Sequence, residues 1–189
     1  MILPGILSSQ ISGHLYSYST DFYQIATATV DSGGASSISF TSIPQTYKHL
    51  QLRILSRASG SGSQADTQLT FNADNTSGHY HALHYIYGDG SGAYGGQDVS
   101  STFIYNNYQT ASGASSGIFG VGITDILDYT NTNKNKVTRT LTGNDLNGSG
   151  SIWLRSGLWL QTSAINQINI TSTATGFAQY TQFALYGAN

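Results

Sequence analysis

The chain is written in short runs where apolar and polar residues alternate, separated by turns rich in Gly, Ser and Asn. That rhythm suits strands and leaves almost no room for a helix. Leu50, Leu52 and Ile54 fall on one strand face, with His49, Gln51 and Arg53 on the other. Ile38 and Phe40 alternate with Ser37, Ser39 and Thr41, and residues 136–141 repeat the pattern. Residues 22–30 and 38–40, joined by Asp31-Ser-Gly-Gly34, are expected to form a hairpin. Further strands are expected over 67–72, 80–87, 102–105, 118–123, 151–160, 165–170 and 180–186. Gly120 and Gly122 mark a strand with a close neighbour. The stretch 88–117 reads as long loops around a single strand. Residues 125–129 are the one expected helical turn, capped by Asp125. About nine or ten short strands without crossover helices predict an all-β, antiparallel β-sandwich, jelly-roll-like in its winding.

The polar half of the alternation carries little charge. Charged residues are 8% of the 189, against a usual ~25%. There is no Glu, and the nine acidic residues are all Asp. With 13 Tyr, 7 Phe, 2 Trp and only 2 Pro, the chain is not of a disordered type. A surface poor in charge and rich in aromatics suits burial against neighbours. The net charge of −2 gives no case for nucleic acid. The absence of Cys removes disulfides and thiolate metal sites. No run approaches the ~20 apolar residues of a membrane span, so no membrane partner is expected.

Residues 1–20 stand outside the β pattern. Ile2, Leu3, Pro4, Ile6, Leu7, Ile11 and Leu15 are spaced irregularly among Gly and Ser. They are expected to form an extended arm that docks on a partner or a neighbouring copy, the alternative being that they fold back on the domain's own core. The domain proper is 21–189.

No constellation points to catalysis. His79 and His81 would share a strand face and begin a metal site, with Asp74 and Asp89 the nearest carboxylates. Strand imidazoles bonded to their neighbours are the simpler reading, and no metal or cofactor is expected. Asp125 and Asp128, three apart on one turn, would lie on one face rather than across a bond, so they do not make a glycosidase pair. No Ser sits in a strand-to-helix nucleophile elbow and no P-loop is present. Trp153, Trp159 and the tyrosines of 80–108 suit sugar stacking or an interface equally. Trp153 and Trp159 lie in the most apolar segment, so at least one belongs to the core. Tyr94, Tyr105 and Tyr108 are the candidate glycan or interface contacts.

Several segments resemble small tail-fibre-like and head-decoration structural proteins of tailed bacteriophages. They are Met1-Ile-Leu-Pro-Gly-Ile-Leu-Ser-Ser-Gln-Ile-Ser12, Ile25-Ala-Thr-Ala-Thr-Val-Asp-Ser-Gly-Gly-Ala-Ser-Ser-Ile-Ser-Phe40 and Ile43-Pro-Gln-Thr-Tyr-Lys-His-Leu-Gln-Leu-Arg53. Later come Asp125-Ile-Leu-Asp-Tyr-Thr-Asn-Thr-Asn-Lys134, Gly148-Ser-Gly-Ser-Ile-Trp-Leu-Arg-Ser-Gly-Leu-Trp159 and Phe177-Ala-Gln-Tyr-Thr-Gln-Phe-Ala-Leu-Tyr-Gly187. The resemblance implies a virion component on the outer surface of a phage particle, with no active site to carry over. The expected role is a capsid decoration (cement) protein, a trimer bound to the major capsid protein across capsomer joints. The alternative is a tail-fibre or receptor-binding protein contacting a host glycan.

Overall fold

The computed structural model describes residues 21–189, apart from the side chains of Ala82 and Leu83. The expected arm, 1–20, lies outside the described residues. The rest is all-β, with twelve strands in two antiparallel sheets stacked as a sandwich. The strands are β1 (Phe22–Thr29), β2 (Ser37–Phe40), β3 (His49–Ser56), β4 (Gln64–Phe71), β5 (Tyr80–Gly88) and β6 (Ala93–Asp98). They continue with β7 (Ile104–Thr110), β8 (Gly120–Leu127), β9 (Lys136–Asp145), β10 (Gly150–Trp159), β11 (Ile168–Ser172) and β12 (Gln182–Ala188).

The large sheet runs β1-β12-β3-β8-β9-β10-β5-β6 and the small one β2-β11-β4-β7. With the hairpins β5–β6 and β9–β10 set aside, two four-stranded sheets remain, 1-12-3-8 facing 2-11-4-7. That order is compatible with jelly-roll winding. The two hairpins lie side by side and extend the large sheet beyond the width of the small one.

The apolar core lies between the sheets on the β1-β12-β3 side. Leu50, Leu52 and Ile54 point into it as expected, against Leu69, Phe71, Ile168, Ile170, Phe183 and Leu185. Trp159 is buried against Phe71 and Tyr80, while Trp153 is only half-buried.

Several expectations change. Residues 22–30 and 38–40 do not form a hairpin, because β1 pairs with β12 and β2 with β11, in different sheets. The turn between them, with Gly34 at φ 72°, carries the chain across the sandwich instead. Residues 88–117 hold two strands, β6 and β7. Asp125 is no helix cap. It lies in β8, where its carboxylate accepts hydrogen bonds from Gln51 Nε2 (2.9 Å) and Arg139 Nη2 (2.7 Å). Ile165 is buried but precedes β11. The close neighbour foreseen at Gly122 is Asn107, whose Oδ1 would lie 2.3 Å from an added Cβ.

Candidate interface

Cross-strand register places one set of side chains on each face of the large sheet. On the outer face an aliphatic row crosses four strands in direct register: Ile123 on β8, Leu141 on β9, Leu154 on β10 and Ile86 on β5. Beside it, Val121 and Ile152 flank Gly143. The next row on the other side is polar: Gln51, Asp125, Arg139, Ser156 and His84. Beyond that, Leu127 pairs with Val137. The eight aliphatic side chains in these rows are 40–66% exposed. Shallow grooves of about 410 and 260 Å³ run between them.

Where it faces β7, the inner side of the same strands is polar, while Ile126 and Trp159 at one end belong to the apolar core. Thr124, Thr138, Thr140 and Thr142 alternate with the aliphatic residues and are buried. Across from them, β7 offers Asn106 and Asn107, both buried and both pointing inward because β7 is bulged opposite Asp66–Gln68. Thr140 Oγ1 donates to Asn106 Oδ1 (2.9 Å), as does Thr124, and Thr142 donates to Asn107 Oδ1. Asn107 Nδ2 donates to Ser56 Oγ (2.9 Å). Arg155, 2% exposed, bonds Asp66 and the Asn106 carbonyl. Asn106 Nδ2, Gln109 Oε1 and Arg155 Nε have no protein partner among the described residues. In this half of the large sheet the usual layering is reversed, with polar groups inside and aliphatic ones outside.

Past the edge of β7 the inner face carries aromatics instead. Tyr94, Tyr87 and Trp153 stand in register across β6, β5 and β10. Tyr87 stacks on Trp153 with ring centroids 3.9 Å apart and on Tyr94 at 4.9 Å. Tyr108 meets Trp153 from β7, and the Arg155 guanidinium lies 4.3 Å from the Trp153 ring centroid. Two of the three expected contact tyrosines, Tyr94 and Tyr108, are therefore linked through Tyr87 and Trp153. Tyr105 packs edge-on to Phe103. Tyr105 sits on a strand as expected, and the strand runs on to include Tyr108, which was expected in a loop-rich stretch. The aliphatic face itself was not among the sequence candidates. Its signal was there: Val137 and Leu141 alternate with three Thr, and Ile152 and Leu154 flank Trp153 and precede Arg155 in an otherwise apolar run.

The histidine cluster is dispersed. His79 precedes β5, and its Nδ1–H donates to Asp74 Oδ2 (2.8 Å), which also accepts from Trp159 Nε1 (2.8 Å). No group of three or more potential metal ligands occurs among the described residues. Partial burial pushes the Asp74 carboxyl up, but the hydrogen bonds from Trp159, His79 and Thr76 outweigh it. They hold the carboxyl well below the usual carboxylate range. A carboxyl depressed in the folded state stabilises above its unfolded pKa, ~4, and that stability fades as pH falls through the folded value. Asp74→Ala is therefore expected to cost about 2 kcal/mol at pH 7 and to flatten the stability curve below pH ~4. Urea unfolding at pH 7 and pH 3 checks both effects.

No family model, curated protein or solved structure matches this chain.

Proposed function

We propose that the protein is a non-catalytic structural component of a phage particle, a head-decoration protein that joins neighbouring subunits through the outer face of its large sheet. The reversed layering of β8, β9 and β10 carries this reading. Strands whose inner side chains opposite β7 are threonine, glycine, serine and arginine gain little from burial inside the domain, while their aliphatic side chains remain in water. A further layer on the outside recovers that burial. The low charge of the chain and the segments resembling phage decoration proteins support the same role. Placement at threefold positions of a shell makes it a trimer in contact with the major capsid protein.

Quantitative mass spectrometry of purified particles of the encoding phage tests the role. Copies in the hundreds are expected. Complete absence from the particle would sink the reading. A few to a few tens of copies would favour the second reading, a tail protein that contacts a host glycan. The Tyr94–Tyr87–Trp153 row favours that alternative, because Tyr94 leaves one ring face open at the sheet edge, 47% exposed. Loss of cell binding in Tyr94→Ala would support it.

A further inference from the structure

We infer that the layer covering the outer face is another copy of this chain. The inference rests on the reading of that face as an assembly surface, and it names the partner.

Area is the first argument. Six contiguous aliphatic side chains about half exposed leave roughly 500 Å² of apolar surface, in the upper part of the range for a monomer's largest patch, and Leu127 and Val137 add to it across the polar row. With its rim, the face reaches the ~800 Å² per partner of a standard interface. The patch thus needs a partner as large as a protein face, more than a small ligand in a pocket would supply.

Charge is the second. The stripe of Ile86, Ile123, Leu141, Ile152 and Leu154 contains no ionisable group, so two copies meeting there bring no like charges together. The rim holds charges of both signs: Asp125 and Arg139, joined at 2.7 Å, and Arg53, opposite Ile123 at the end of the row. A rim with both signs complements itself, since each copy offers an anion to the other's cation and a cation to its anion. Such an apolar centre and polar rim are the anatomy of a specific interface.

Position is the third. The strands that build the face are β8 and the added strands β9, β10 and β5, which broaden the large sheet beyond the small one. The small sheet covers only part of their inner side. The additions therefore enlarge the outer face more than the core.

The test is the mass of the full-length protein in solution, by mass photometry and by light scattering at tens of micromolar. A multiple of the 20.1 kDa chain mass is expected. Leu141→Lys and Ile152→Lys point outward and leave the domain folded by circular dichroism. Each should raise the dissociation constant by ~100-fold or more, because an unpaired cation would be buried at the contact. Tyr180→Ser, also exposed but outside this face, should leave the mass unchanged. A monomeric wild-type protein, or lysine variants that associate as before, overturns the inference. If the wild type is monomeric and deletion of residues 1–20 raises binding of an apolar dye, those residues are the cover instead, which also overturns it. The assembly reading fails separately. It falls if the lysine variants enter particles normally, and it survives a monomeric wild type if they do not. A face-dependent dimer supports the inference and removes the threefold placement.

Discussion

Lys136→Met is expected to lower the folding free energy by about 3 kcal/mol, and Tm by roughly 6–12 °C. Lys136 is fully buried, and its ammonium donates to three backbone carbonyls: Asn131 (2.6 Å), Lys134 (2.9 Å) and Thr162 (2.9 Å). It ties the loop before β9 to the chain after β10. Met fills the same space and satisfies none of the carbonyls. Each buried acceptor left without a donor costs about 1–3 kcal/mol, partly recovered where water enters. Burial pushes the Lys136 ammonium pKa down, the Lys134 charge adds to the effect and the Asp128 charge opposes it, and the direct contacts that hold the cation are the three carbonyls. Urea midpoints of the two proteins measure the loss. A change below about 1 kcal/mol would mean that the carbonyls are solvated without the lysine.

Arg155→Met is the second large effect, about 3 kcal/mol at pH 7. The guanidinium is buried under Trp153 and Tyr108 and holds Asp66. Burial pushes the Asp66 carboxyl up even with Arg155 beside it. Without the arginine it rises further. A carboxyl raised in the folded state keeps its stabilising share below its unfolded pKa, ~4, and loses it as pH rises through the folded value. The deficit of the variant should therefore grow from pH 4 to pH 7, a higher pH range than the one over which the Asp74→Ala deficit develops. A deficit independent of pH would assign the loss to packing against Trp153 alone. Replacing both partners, Asp66→Leu with Arg155→Met, should recover part of the stability.

Much of the fold could be read before the structure. The alternation at Leu50–Leu52–Ile54 placed β3 and its buried face, because nothing else in that run competes for the core. Alternation fails elsewhere for a definite reason. It names two faces of a strand without saying which is covered. In β9 the covered face belongs to threonines, a choice made by Asn106 and Asn107 of β7, some thirty residues away in sequence and joined by no local signal. Turn chemistry failed similarly at Asp31-Ser-Gly-Gly34. The residues specify a reversal, but the partner strands that make it a crossing between sheets lie more than 120 residues further on. Of the candidate contacts, Tyr94 and Tyr108 converge because register aligns Tyr94 with Tyr87 and Trp153 while the facing sheet brings Tyr108 onto Trp153, and neither the pairing nor the stacking of sheets is encoded in composition.

The position of β12 has a consequence for how the chain comes to be folded. Strand β12 is inserted between β1 and β3, with Phe22 opposite Ala188. Until residues 182–188 leave the ribosome, β1 has no partner strand among the described residues and the β3 edge that carries Leu50, Leu52 and Ile54 stays open. The core therefore closes only once residues 182–188 have been made, by pairing strands more than 150 residues apart in sequence. Loop closure on that scale makes folding slow and exposes a sticky edge meanwhile. A stop codon that removed only the final strand would leave an aggregating chain rather than a shortened domain.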